Sequence, residues 1–271
     1  MTHDLIAFVG GGQMAGSLLG GLLAAGHPAS RLVVAEPDGA RAEAVRREFK
    51  VEVRSGAREL PVADALVLAV KPQAMREAVA GLAPPFTTTV ISIAAGIRID
   101  SLRGWLGSSA APVVRSMPNT PALLRFGVAG LYAPPGTPEL SRRRAERVLG
   151  AVGQTCWVDD EGLLDAVTAL SGSGPAYYFL LTEALRDAGR ELGLDAPTAK
   201  LLAERTLVGA GRMAESAGRD VAELRANVTS KGGTTEAAIG HLESQGFRTL
   251  LLAALRAARD RSRELGAALS K

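Results

Sequence analysis

A single cysteine, Cys156, stands in 271 residues. That excludes an internal disulfide framework and any zinc site built on several thiolates, and it fits a reducing, cytoplasmic setting. Three histidines, His3, His27 and His241, are scattered without metal-ligand spacing, so neither a metal site nor a catalytic triad is expected. Aromatic residues are few, at 4%, so the interior has to be built from aliphatic side chains. No charge sign dominates: 31 Lys+Arg against 28 Asp+Glu leave +3, without a single-sign block. Such a balance gives no reason to expect a nucleic-acid partner. The Arg142, Arg143, Arg144 and Arg147 cluster alternates with other residues at helical spacing and reads as a solvated helix face. Long apolar runs are missing too, since none reaches the ~18 residues of a membrane span. The apolar start, residues 5–9, has no basic flank and runs straight into glycines. It reads as a first strand and not as a signal peptide, and no membrane partner is expected.

What is present is 47% hydrophobic residues, ample for a core, together with 31 glycines. Small residues permit close approach of backbone to backbone and of backbone to ligand. Residues 5–9, 31–35, 51–53, 64–70 and 89–93 read as short aliphatic strands. Apart from 51–53 they are apolar almost without alternation, the mark of strands covered on both faces in a parallel sheet. Helical patterns at 14–25, 39–49 and 73–82 lie between them, so βαβ units with right-handed crossovers are expected. Short runs at 113–115, 128–132 and 155–158 extend the sheet. Beyond residue 160 only helical patterns follow, at 175–192, 197–217, 221–226, 235–244 and 246–266. Pro175 and Pro197 fall in first turns, and Gly193 suits a left-handed helix end. The expected architecture is α/β: a Rossmann-type doubly wound sheet over 1–160, then an all-α domain over 161–271.

Gly10, Gly11, Gly12, Gln13, Met14 and Ala15 match G-x-G-x-x-A between the first strand and the first helix. Gly10 permits a tight turn, Gly12 lets the backbone approach a pyrophosphate, and Ala15 allows close packing of helix on strand. The helix start offers unpaired N–H groups to the phosphates. The second strand ends in an acid, Glu36, where such sites read the adenosine ribose. Val70 ends the fourth strand with Lys71 next to it, and Ala95 follows the fifth. Both places lie at carboxyl ends, where open α/β sheets bind ligands. Lys71 is equally readable as a cofactor contact or as a surface lysine. Residues 171–175, Ser-Gly-Ser-Gly-Pro, read as a flexible connection capped at Ser173 or Gly174. Residues 228–235 carry two glycines and several hydroxyls into a helix. Two readings stand there: an anion nest for a carboxylate, with the Thr235 hydroxyl beside it, or an N-cap made by Thr234.

Taken in register, these motifs resemble the pyrroline-5-carboxylate reductases over essentially the whole chain. The most specific part is 224–243, with Val228-Thr229-Ser230, Gly232-Gly233, Thr235, Ala238-Ile239 and Leu242-Glu243. Val70-Lys71-Pro72, Ala94-Ala95-Gly96, Met117-Pro118-Asn119-Thr120-Pro121 and Ser171-Gly172-Ser173-Gly174-Pro175-Ala176-Tyr177 agree in order and spacing. The resemblance implies hydride transfer from NAD(P)H to the C=N carbon of 1-pyrroline-5-carboxylate, giving L-proline. It implies cofactor contacts at Gly10, Gly11, Gly12, Gln13, Met14, Val70, Lys71, Ala95 and Asn227, and Glu36 is added on its position. Substrate contacts are implied at Thr234, Thr235 and Glu161; for Glu161 a first-turn helix acid is the plainer alternative. Gly232 and Gly233 are expected to hold the carboxylate, and Thr235 to bond the ring nitrogen as the catalytic residue. The resemblance further implies a homodimer through the all-α domain, a substrate site built by both subunits, and assembly of dimers into decamers. Two departures bear on cofactor choice. Glu36 stands where many members have a small polar residue, and Ser55-Gly56-Ala57 where many have an asparagine. Glu36 favours NADH, whereas the family favours NADPH. A reductase of β-hydroxyacids is disfavoured, because residues 175–192 hold no lysine to act as general acid.

Overall fold

Successive residues of a strand face opposite sides of the sheet, and here both sides are apolar. The computed structural model describes residues 3–80, 82–107 and 111–269. Strands β1 (Ile6–Val9), β2 (Leu32–Ala35), β3 (Glu52–Arg54), β4 (Ala65–Leu68), β5 (Thr89–Ser92), β6 (Val113–Met117), β7 (Gly127–Tyr132) and β8 (Gly153–Trp157) form one eight-stranded sheet. Their order is β3-β2-β1-β4-β5-β6-β7-β8, so the chain reverses direction across the sheet between β1 and β4. Ile6 and Phe8 pack with Leu18, Leu19 and Leu22 of α1 (Gln13–Ala24), Val45 of α2 (Gly39–Phe49) and Val148 and Leu149 of α5 (Glu139–Gly150). Ala7 and Val9 face the other way, onto Met75 and Val79 of α3 (Pro72–Val79) and Leu102 and Leu106 of α4 (Ile99–Leu106). This two-sided burial explains the nearly unbroken aliphatic strands. β3, exposed at the edge, alternates instead.

The parallel reading holds for β1 to β6, but β7 runs antiparallel to β6 and parallel to β8. A parallel crossover needs a dozen or more residues, usually a helix. Residues 118–126 supply only a short 3-10 turn, Thr120–Leu124, so the chain folds back. The helix expected over 73–82 ends at Val79, and Gly81 lies outside the described residues. Helix α4 was not among the expected elements, and α5 was expected only as the helix face carrying the arginine cluster. The arginine cluster on α5 is only partly a solvated face. Arg144 is buried, 2.9 Å from Asp64 and 3.6 Å from Asp4, and the Arg142 guanidinium lies 4.0 Å over the Trp157 ring. The carboxylates and the indole, not solvent, hold these two side chains.

Among the described residues no strand follows residue 160, as the change of pattern indicated. The chain packs as two compact units, residues 1–173 with 258–271 and residues 174–257. The strands thus end near 160, while the first unit continues through α6 (Leu163–Val167) and a π-helical turn, Thr168–Gly172. Residues 171–174 are therefore no flexible connection. The Ser173 N–H donates to Thr168 O at 2.8 Å, and Asn119 Nδ2 donates to Ser171 O at 3.2 Å, tying the turn to the segment after β6. The second unit holds α7 (Gly174–Glu191), α8 (Ala196–Ser216), α9 (Val221–Asn227), α10 (Thr234–Ser244) and the first part of α11 (Phe247–Leu269). Asp195 caps α8 by accepting the Thr198 N–H at 2.8 Å, and Gly193 takes φ +98° between α7 and α8.

Candidate functional site

Gly10 adopts φ +98°, and a side chain there would meet Val70 Cγ1 at 2.8 Å and Ala69 O at 2.9 Å. Only glycine allows the loop after β1 to lie so close to the end of β4. Gly12 heads α1 with open space where its Cβ would be. No side chain caps this helix start and no acid occupies its first turn. An uncapped, positive helix end beside a cradle open to solvent is what a pyrophosphate requires. A groove of about 560 Å³ opens alongside, lined by Gly11, Gly12, Gln13 and Arg41 among others. Gln13 is exposed and Met14 half-buried. Val70 is half-buried, Lys71 is exposed ahead of α3, and Ala95 follows β5. The residues expected for the dinucleotide within the first unit, Gly10 to Met14, Glu36, Val70, Lys71 and Ala95, thus follow the carboxyl ends of β1, β2, β4 and β5, along one edge of the sheet.

Glu36 is 4% exposed. Its Oε2 accepts the Gly11 N–H at 2.8 Å, and its Oε1 accepts the Asp38 N–H at 3.0 Å. Arg41 Nη1 reaches both oxygens at 3.3 and 3.4 Å. Arg41 thus covers the acid it follows by five positions, and Glu36 braces the glycine loop from beneath. A carboxylate accepts about four hydrogen bonds, and the long Arg41 contacts are the ones a ribose hydroxyl can displace.

Glu161 lies ahead of α6 and is drawn to the sheet. Its Oε1 accepts the Ile99 N–H at 2.9 Å and an Arg115 N–H at 3.1 Å. It therefore caps α4 across a long sequence separation, a role the first-turn reading did not contain. Burial pulls the Arg115 guanidinium below its ordinary pKa, and the Glu161 charge opposes that shift. Sequence reasoning passed over Arg115. Its signal was a lone charge in the aliphatic run Val113-Val114-Arg115, since such a charge is rarely buried unpaired.

In the second unit, α10 begins at Thr234 with Gly233 as its N-cap and no side-chain cap. Thr234 is therefore the first helical residue and not the cap. Its neighbour's extended backbone leaves the Thr234 hydroxyl past the position from which a cap side chain folds back. The Gly232 N–H donates to Glu236 Oε2 at 2.7 Å, and the Gly233 N–H to Ser230 O at 3.0 Å. Both glycine amides are thus engaged within the loop. Gly232, at φ +72°, shapes the turn, and the first-turn amides of Thr234 and Thr235 are the groups left at the helix end. Thr235 is half-buried; Thr234 and Asn227 are exposed. Among the described residues no group of three or more His, Cys, Asp or Glu is placed to hold a metal ion.

Two family models match the chain. One, described as pyrroline-5-carboxylate reductase dimerisation, covers residues 161–265. The other, described as NADP oxidoreductase coenzyme F420-dependent, covers residues 5–96. A pyrroline-5-carboxylate reductase of Pseudomonas aeruginosa is 48% identical over 100% of both chains. That of Haemophilus influenzae is 42% identical over 98% of each. Among solved structures, a pyrroline-5-carboxylate reductase from Coxiella burnetii superposes with a TM-score of 0.92 at 40% identity, covering 97% of this chain and 99% of that one. A Plasmodium falciparum pyrroline carboxylate reductase with NADP bound gives 0.82 at 28% identity, covering 98% and 99%.

Proposed function

The chain belongs to the pyrroline-5-carboxylate reductase family, and from that membership and its own geometry we infer that it reduces 1-pyrroline-5-carboxylate to L-proline with NAD(P)H. The observation that carries the reading is the pair of glycine-headed helix starts, α1 and α10, each without a side-chain cap. One suits a pyrophosphate and the other a carboxylate, and the reaction joins a dinucleotide to a small acid.

Bound NAD(P)H supplies the hydride that reaches the C=N carbon of the substrate. Protonation of the imine nitrogen makes the C=N carbon an electrophile ready for hydride, so the chain need not contribute a strong acid. Its tasks are orientation, exclusion of water and charge complementarity. Gly10, Gly11, Gly12, Gln13 and Met14 would hold the pyrophosphate, with Glu36 reading the adenosine ribose. Val70, Lys71, Ala95 and Asn227 complete the cofactor contacts. The Thr234 and Thr235 amides would meet the substrate carboxylate, with Gly232 and Gly233 shaping the turn that presents them. The Thr235 hydroxyl would bond the ring nitrogen as charge there changes. Fixing two reactants in this way is worth roughly 7–11 kcal/mol in favourable cases. Glu161 supports the sheet edge, and its ties to Ile99 and Arg115 favour that role over direct contact with substrate.

We assign dinucleotide binding to residues 1–160 and substrate binding with dimerisation to residues 161–271. The homodimer is the minimum assembly, with decamers as its further association. No helix among the described residues is long and apolar enough to cross a membrane, and the lone cysteine supports a cytoplasmic setting. The test is oxidation of NADH and NADPH by purified protein with and without pyrroline-5-carboxylate. Substrate-dependent oxidation yielding proline is expected, and oxidation that ignores the substrate would overturn the reading.

A further inference from the structure

The turn that carries Ala95 is held from outside by the C-terminal end of the chain. Gly96 adopts φ +80°, and a Cβ on it would lie 3.2 Å from both Cα and N of Gly266. A Cβ on Gly266 would in turn lie 2.6 Å from Gly96 O. Two backbones therefore touch at this point, the 94–96 turn after β5 and the last turns of α11, and glycine is required on both sides. Two residues further on, Arg98 Nη2 donates to Asp165 Oδ2 at 2.9 Å. Asp165 is 1% exposed, and its Oδ1 accepts the Ser262 hydroxyl at 2.8 Å. Ser262 is itself buried and sits one helical turn before Gly266. Arg263 Nε approaches the same carboxylate at 3.8 Å. The next residue along, Ile99, is fixed through its N–H by Glu161. The mechanism above uses neither Asp165 nor Ser262, yet a fully buried carboxylate with this many partners is costly to build unless it fixes something.

We propose that Gly266 and Ser262 are positioning residues for the reductase reaction: α11 grips the 94–98 segment through Gly96 and, by way of Asp165, through Arg98. The segment follows β5, one strand beyond the crevice where the strand order reverses, so the part of the dinucleotide it serves is the nicotinamide end. The adenosine end rests on Glu36 and the glycine loop, which α11 does not support. This proposal rests on the reading of Ala95 as a cofactor contact.

The experiment measures affinity by nucleotide fluorescence and calorimetry in the full chain. The ligands are NADPH and the fragment adenosine 2′,5′-bisphosphate, which carries no nicotinamide. Gly266→Ala is expected to raise the Kd for NADPH by roughly ten-fold or more, with the fragment's Kd within about two-fold of wild type. Ser262→Ala is the milder variant, expected to weaken NADPH by roughly three- to ten-fold, a typical lost hydrogen bond, and Ser262→Thr to restore most of it. NADPH affinity at the wild-type level in both alanine variants, even with a lowered Tm, would overturn the proposal. Equal weakening of NADPH and fragment would overturn it as well, since that is general loosening of the fold. Wild-type protein that binds neither of these ligands nor NADH would bring down the dinucleotide site itself and this proposal with it.

Discussion

A threonine at the second position of a helix offers two donors at once, its amide and its hydroxyl. Thr235 is so placed in α10, half-buried behind an uncapped Gly233. Thr235→Ala is expected to lower kcat by roughly ten-fold to a thousand-fold, the range for one well-placed hydrogen bond at a transition state. Cofactor affinity should stay near wild type, and a wild-type kcat would remove Thr235 from the mechanism. Glu36 has two tasks, holding the Gly11 N–H and repelling a 2′-phosphate. NADH should therefore serve at least as well as NADPH, and Glu36→Ser should shift kcat/KM toward NADPH while weakening both cofactors, because the loop loses its brace. A wild-type preference for NADPH beyond ten-fold, about 1.4 kcal/mol, would show that Arg41 offsets the acid. His27 is a different case, buried with Nε2 unpartnered beside the His3 ring. Burial first, and His3 second, hold its pKa below the ordinary 6.5. The unfolded chain then binds the proton more readily, so stability is full above about pH 6.5 and falls as pH drops below it. His27→Leu should flatten the decline of Tm between about pH 7 and 5; an identical decline would assign it to other groups.

Among the elements, the pairing of β7 with β8 depends on two glycines. Gly127 and Gly153 stand opposite each other at its start. Gly153 takes φ +155°, and a Cβ there would sit 1.9 Å from Gly127 O. Gly153→Ala should therefore cost about 2–4 kcal/mol, combining backbone strain with steric overlap. Urea denaturation measures it, and a loss under about 1 kcal/mol, within the range of an ordinary surface change, would mean that the strand slides to make room. The strands themselves were legible because two-sided burial writes long aliphatic runs, as at Ala65-Leu66-Val67-Leu68. The register was not, since it is set by which backbone can approach which. The direction of β7 was hidden for a related reason. It depends on the shortness of the link after Met117, which the runs of apolar residues do not encode.

For the whole molecule, the second unit leaves its apolar surface uncovered. Leu192 is 86% and Leu250 71% exposed, and Tyr178, Phe179, Leu180 and Leu251 are exposed with them. Phe247, Leu250 and Leu251, at helical spacing along α11, are among these exposed side chains, and they fall inside the segment matched by the dimerisation family. At roughly 25 cal/mol per Å² of apolar area, covering such a surface favours association strongly. An obligate dimer through this unit is expected. Light scattering that returns a monomer mass for enzyme still turning over would refute it.

The sequence alone determined the layered α/β sheet, the glycine loop with Glu36, the helical second half and the likeness that names the reaction. These are local matters: apolar period, turn chemistry and motif spacing sit within a few dozen residues of one another. Tertiary structure alone decided that Arg144 is buried against Asp64 and that Glu161 caps α4. It also decided that the chain's last turns meet Gly96. Each of these joins groups whose pairing is settled by distance in space, and a charge or a glycine in the sequence carries no mark of the partner it will find.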